Sequence, residues 1–208
     1  RAPGVCSLPN GAAYYAHKLR CETSTEMSPD EIHALGHAQV GAILGEMSAT
    51  IARLAAAGDA RLKPEESVAA NMRRLSTDPQ WRFDDTAEGK AACLQHFRDL
   101  VSEIETKLGP YFDVRPKQPL KIQAVPSHME EGSPAAFYMP PSLDGSRDGV
   151  FYANLGDMDA QFKYGCRTLT AHEAIPGHHF QLAIQFEMEG LPYFRKAADG
   201  FNAFVEGW

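Results

Sequence analysis

His172-Glu173-Ala174-Ile175-Pro176-Gly177-His178-His179 is the stretch on which the reading of this chain turns. A helical pattern resumes after Asp159, runs from about Lys163 through this motif to about Glu187, and stops at Gly190-Leu191-Pro192. A His-Glu pair, further histidines a turn or two later and a distal glutamate are the groups a zinc hydrolase needs: imidazole ligands, a carboxylate ligand and a carboxylate base. On a regular helix, ligands at i and i+4 share one face and converge on one ion, and a glutamate at i+1 faces the water. Here the position four after His172 is Pro176, which cannot ligate and removes a helical hydrogen bond. Gly177 beside it permits non-helical backbone. Ile175-Pro176-Gly177 is therefore expected to bulge or kink the helix.

Two histidines compete as second ligand. His179, at i+7, returns to the face of His172 but about 10 Å further along the axis of an unbroken helix. If the kink loops out two residues, His178 falls where i+4 would lie. His178 is preferred, with His179 supporting it, facing substrate or ligating in its place. The third ligand should be a carboxylate on a following helix. Glu206, within Phe204-Val205-Glu206-Gly207-Trp208, is an acid between apolar residues and beside a glycine, an unusual placement on a solvated face. Glu187 and Glu189 compete, but they share the histidines' own helix. The plainer alternative is a helix whose histidines are only structurally hydrogen-bonded. Against it, the histidines and the Pro-Gly pair cost helix stability, and local rules are broken most often for function.

The wider composition sets limits. The chain has 208 residues, 44% of them hydrophobic, enough for a sizeable core. Its net charge of -7 argues against nucleic acid or an anionic membrane as partner. No apolar stretch is long enough to span a bilayer. Arg1-Ala2-Pro3-Gly4 reads as the start of an excised or processed piece, and Phe201 to Trp208 as the beginning of a helix that is cut off. Cys6, Cys21, Cys93 and Cys166 form no Cys-x-x-Cys pair, which argues against a cysteine zinc site. Four free, partly buried thiols are expected, with a Cys6–Cys21 disulfide as the alternative for an exported protein.

A short helix is expected around Ala12 to Arg20. Ser28-Pro29-Asp30-Glu31 is a capping box with proline at the first helical position, opening a helix that continues to Gly58. His33 and His37 on that helix are read as surface residues. A second helix is expected from Pro64 to Leu75 and a third from Thr86 to Leu108, closed by Gly109-Pro110. From Leu120 the period changes. Leu120 to Val125, Ala136 to Met139 and Val150 to Asn154 read as short strands of a small antiparallel sheet or hairpin, the last two joined by a turn-dense loop. Further helices are expected from Tyr193 and from near Gly200.

The motif and Phe204-Val205-Glu206-Gly207-Trp208 resemble the bacterial domain-of-unknown-function 885 family, as do Leu8-Pro9-Asn10-Gly11-Ala12-Ala13-Tyr14-Tyr15, Ser28 to His33 and Pro140 to Arg147. Its members are longer, often carry export or lipoprotein signals, and are regarded as zinc metallopeptidases similar to the gluzincins. The resemblance implies a mainly α (α+β) fold with a small antiparallel sheet next to the zinc-motif helix. It also implies that 1–208 is one fragment of a larger metallopeptidase-like domain, with a helical part to 118 and the sheet and motif helices from 119. By the same resemblance Glu173 is the general base, Glu206 a ligand, and Gly177-His178 the end of the motif.

The expected activity is hydrolysis of peptide bonds, with Zn2+ on His172, His178 and Glu206 and a peptide or small amide as the binding partner. Alternatives are a zinc hydrolase of a non-peptide amide or ester and a catalytically incomplete metal-binding or structural fragment. Strand Val150 to Asn154 could add an extended peptide as a further strand. That would bring Asn154 to the substrate and let Tyr152 donate to an oxyanion. Arg147 is a candidate for reading a substrate carboxylate. The expected location leans periplasmic or otherwise extracytoplasmic.

Overall fold

A computed structural model of the chain describes residues 4–197 and 201–208. Arg1 to Pro3 and the helix start expected near Gly200 lie outside them. Contacts divide the chain into two units, Arg1–Leu75 with Asp199–Gly207, and Ser76–Ala198 with Trp208.

The first unit is helical. Helix α1 (Gly11–Thr23) begins where Gly11 presses on the preceding turn: a Cβ there would lie 2.0 Å from the Val5 carbonyl oxygen. Helix α2 (Pro29–Ala56) opens on the expected capping box. Glu31 N donates to Ser28 Oγ at 3.3 Å and Ser28 N donates to Glu31 Oε2 at 2.7 Å. Helix α3 (Val68–Thr77), which runs on into the second unit, starts later than the sequence pattern suggests. Residues before it are held as turns by buried Asn71: its Oδ1 accepts from Lys63 N at 2.7 Å, and its Nδ2 donates to Lys63 O and Ser67 O at 2.9 and 3.1 Å. Ile43, Met47, Ile51, Leu54, Leu62 and Met72 line a groove of about 300 Å³ in this unit.

In the second unit, Thr86 Oγ1 caps helix α4 (Ala87–Leu108) by accepting from Gly89 N at 3.0 Å. Strands β1 (Leu120–Ala124), β2 (Ala136–Met139) and β3 (Gly149–Ala153) form a sheet ordered β1-β3-β2. The protein is thus mainly α with a little β. The sheet, expected antiparallel, is mixed: β2 and β3 make the antiparallel hairpin, while β1 runs parallel to β3 with Leu120 opposite Gly149 and Ala124 opposite Ala153. The direction follows from the connections. The 140–148 loop turns β2 straight back into β3, whereas β1 is separated from both by 125–135 and takes β3's free edge. Central β3 therefore has both edges hydrogen-bonded, so the expected pairing of a peptide with Val150 to Asn154 is not available to it.

The core of this unit lies between one sheet face and α4 with helix α5 (Lys163–Glu173). Phe97 and Phe151 are fully buried, ring centroids 5.0 Å apart and nearly perpendicular, with Cys93, Leu100, Ala153 and Cys166 around them. All four cysteines are free: Cys93 and Cys166 buried, Cys6 and Cys21 exposed. The motif segment is two helices rather than one kinked helix. After α5 the chain turns through 174–177, includes a cis Ile175-Pro176 peptide, and restarts as α6 (His178–Glu187), followed by α7 (Tyr193–Ala197). Short helix α8 (Asn202–Glu206) lies in the first unit.

Candidate metal centre

The turn between α5 and α6 makes the site. His172 is in the last turn of α5 and His178 opens α6. Their rings face each other with centroids 4.5 Å apart, inclined at 67°. The break brings them together because Gly177 sits directly on the end of α5: a Cβ at Gly177 would lie 1.8 Å from His172 O and 2.3 Å from Ala171 O. Only glycine allows so close an approach. His179 N then donates to Ala174 O at 3.1 Å and Gln181 N to Gly177 O at 3.0 Å, which starts α6 without help from a capping side chain.

His178 Nδ1 is 3.0 Å from Gln181 Oε1. A carboxamide oxygen only accepts, so Nδ1 carries the proton and Nε2 keeps its lone pair. That is the usual support for a metal-binding imidazole. Two imidazoles on adjacent helix ends, one of them held in this tautomer, fit the nitrogen part of a zinc donor set. Glu173, between them in sequence, is buried with 8% of its surface exposed.

His179 goes elsewhere. It is 4% exposed, and its Nδ1 lies 2.8 Å from the Tyr138 hydroxyl. Burial pushes the imidazole pKa down to about 4, partly opposed by a hydrogen bond with the Gln118 backbone and by Glu187. Burial pushes the Tyr138 phenol up, with Arg147 opposing. A neutral imidazole thus accepts from a protonated hydroxyl.

The other candidates scatter. Tyr152 stacks on Phe137, centroids 5.1 Å apart. Strand alternation puts both on the face away from Phe151 and the α4–α5 core, so it is Tyr138, opposite Phe151, that meets the motif. Asn154 acts as a clamp: its Nδ2 donates to Glu130 O and Ser133 O at 3.0 and 3.1 Å, and its Oδ1 accepts from Gly156 N at 3.0 Å. These bonds hold the 130–135 segment against the end of β3. Arg147 is exposed in the 140–148 loop, its backbone N donating to Ser142 Oγ at 2.9 Å. Its charge reaches Tyr138. Glu206 ends α8. Two residues later, Trp208 Nε1 donates to the Pro176 carbonyl at 2.8 Å, which anchors the chain beyond Glu206 to the motif turn.

Gln181, Tyr138 and Trp208 also support the site. Gln181 is legible in the sequence, three residues after His178 on the same helical face. Tyr138 and Trp208 carried no local signal, since their partners lie 41 and 32 positions away.

Residues 1–208 match a family described as "Bacterial protein of unknown function". A crystal structure titled as that of "the putative lipoprotein from Colwellia psychrerythraea" is similar, with 33% identity and a TM-score of 0.90 over 99% of this chain and 34% of that one. The chain thus spans about a third of that protein's length. No curated protein matches.

Proposed function

From the premise that the chain belongs to the domain-of-unknown-function 885 family, we propose that it carries the zinc-binding centre of a metal-dependent hydrolase acting on peptide bonds. The observation that carries this reading is the His172–His178 pair, held across a break that only Gly177 permits. Glu206 is the third ligand in this reading, the carboxylate that completes a donor set of two imidazoles and one carboxylate. Three protein ligands leave a coordination position open, the pattern of catalytic rather than structural zinc sites.

A zinc ion held by these residues would supply Lewis acidity that lowers the pKa of a water toward neutrality. Glu173, next to His172, accepts that water's proton and delivers it to the leaving amine. Gln181, accepting from His178 Nδ1, leaves Nε2 of that ring as the ligating nitrogen. Arg147 offers a positive charge on the side of Tyr138 for a substrate carboxylate. No helix among the described residues is long and apolar enough to cross a membrane. A similar structure titled as that of a putative lipoprotein supports the periplasmic or otherwise extracytoplasmic location that we propose.

The test is metal content and peptide hydrolysis of the wild type, Glu173→Gln and His172→Ala. The reading requires about one zinc per chain in the first two, none in the third, and hydrolysis reduced by at least about a hundredfold in Glu173→Gln, the scale of a lost general base. Equal hydrolysis by Glu173→Gln and wild type would sink it.

A further inference from the structure

We propose that Tyr138 and His179, with Gly149 making room for them, are positioning residues that fix the orientation of His178 from the sheet. The proposal rests on the zinc reading above and assigns the second histidine of the pair a mechanical task.

The break at Pro176-Gly177 has a cost. It brings His178 to His172, but it removes the continuous helix that would otherwise fix one ligand relative to the other. Ligand side chains need to be held within about 0.5 Å and 10–20° of their working geometry. Backbone contacts at Gly177 and Ala174 tie the start of α6 to α5 on one side, and the other side of that turn faces the sheet.

Tyr138 is placed to hold that side. It lies on β2 opposite Phe151, in the register of the hydrogen-bonded sheet, and Phe151 is fully buried against Phe97. Its hydroxyl meets His179 Nδ1 at 2.8 Å, one peptide away from His178. Gly149, the first residue of β3, closes in on this bond: a Cβ there would lie 2.4 Å from the Tyr138 hydroxyl oxygen and 2.9 Å from His179 Nδ1. The far end of α6 is tied as well. Glu187 Oε1 accepts from Lys117 N at 2.7 Å and Gln118 N at 3.0 Å, just before β1. Both ends of α6 thus hang on the sheet and its approach, so the sheet holds the helical turn that carries His178.

The experiment is zinc affinity by competition with a chromophoric chelator, alongside thermal melts of metal-free protein. The variants are Tyr138→Phe, which removes one oxygen, His179→Gln, their combination, and His172→Ala. The expected result is zinc affinity lowered roughly ten- to a hundredfold in each of the first two, the range for residues that orient ligands. The double variant should be no weaker than the weaker single, because one bond is lost in each. Unchanged zinc affinity in Tyr138→Phe, even with a lower melting temperature, overturns the proposal, as does a double variant in which the losses multiply. Failure of the zinc reading looks different: wild type and His172→Ala then bind zinc equally poorly.

Discussion

Gly177 leaves no space for a side chain, because a Cβ there would lie 1.8 Å from the carbonyl oxygen of His172. The contact joins the start of α6 to the end of α5 through backbone alone, so neither partner can yield by changing rotamer. Gly177→Ala must push the two helix ends apart, and with them His172 and His178. Zinc affinity should fall by at least tenfold, with a stability loss of about 1–3 kcal/mol, the usual cost of overpacking. Gly165→Ala is the control. It lies within α5 with nothing near its Cβ position, and should be neutral or stabilising by up to about 1 kcal/mol with zinc binding intact. Equilibrium unfolding and chelator competition on both variants check this.

The Phe97–Phe151 pair holds α4 to the sheet that bears Tyr138. Both rings are fully buried and meet edge to face at 5.0 Å. Phe97→Ala removes a ring from the centre of the core and should cost about 3–5 kcal/mol in urea unfolding. Phe137→Ala alters the stacked pair with Tyr152 on the opposite face, where both residues are only half-buried, and should cost clearly less.

Glu103 links α4 to α5. It accepts from Arg167 at 2.6 Å and from Lys107 at 2.6 Å, and these bonds, Arg167 first, hold its carboxyl down at about 2. An unfolded glutamate titrates near 4.3. The stabilisation is therefore fully present above about pH 4.3 and is lost as the pH falls toward about 2. Melting temperatures of wild type and Glu103→Gln should differ at pH 6 and converge across this window. The group is exposed, so a small difference is expected. Parallel curves from pH 6 to pH 2 would contradict the assignment.

Thiol reactivity divides the cysteines. Burial pushes Cys93 up to about 12 and Cys166 up to about 11, which suppresses thiolate. Cys6 and Cys21 are exposed. A maleimide at neutral pH should label Cys6 and Cys21 in the native protein, and Cys93 and Cys166 only in denaturant, as peptide mapping would report.

Local chemistry was legible in the sequence. The Ser28 cap, the two ends of α4 and the turn-rich 140–148 loop depend on neighbours within a few residues, and each stands where the pattern puts it. Features settled by distant contacts were not. Asn71 delays α3 by holding Lys63 and Ser67 in turns. The parallel pairing of β1 depends on which edge of β3 is free. A one-residue difference in strand position decides between Tyr152 and the face that meets the motif. At the candidate site, the pattern supplied His172, Glu173 and His178, while the steric need for glycine at 177 and the tyrosine behind His179 emerge only from packing.

The end of the chain offers a way to separate ligation from its support. Trp208 is largely exposed, yet its indole donates to the Pro176 carbonyl at 2.8 Å, inside the turn that sets the histidine spacing. Trp208→Phe keeps a ring and removes the donor. One net hydrogen bond is worth about 1 kcal/mol, so zinc affinity should drop by about fivefold. Glu206→Gln keeps the anchor and removes the charge, and a lost ligand should cost far more. If Trp208→Phe lowers zinc affinity several-fold and Glu206→Gln leaves it unchanged, the indole supports the turn while Glu206 is no ligand. If Glu206→Gln abolishes binding and Trp208→Phe weakens it modestly, the carboxylate ligates and the indole tethers it.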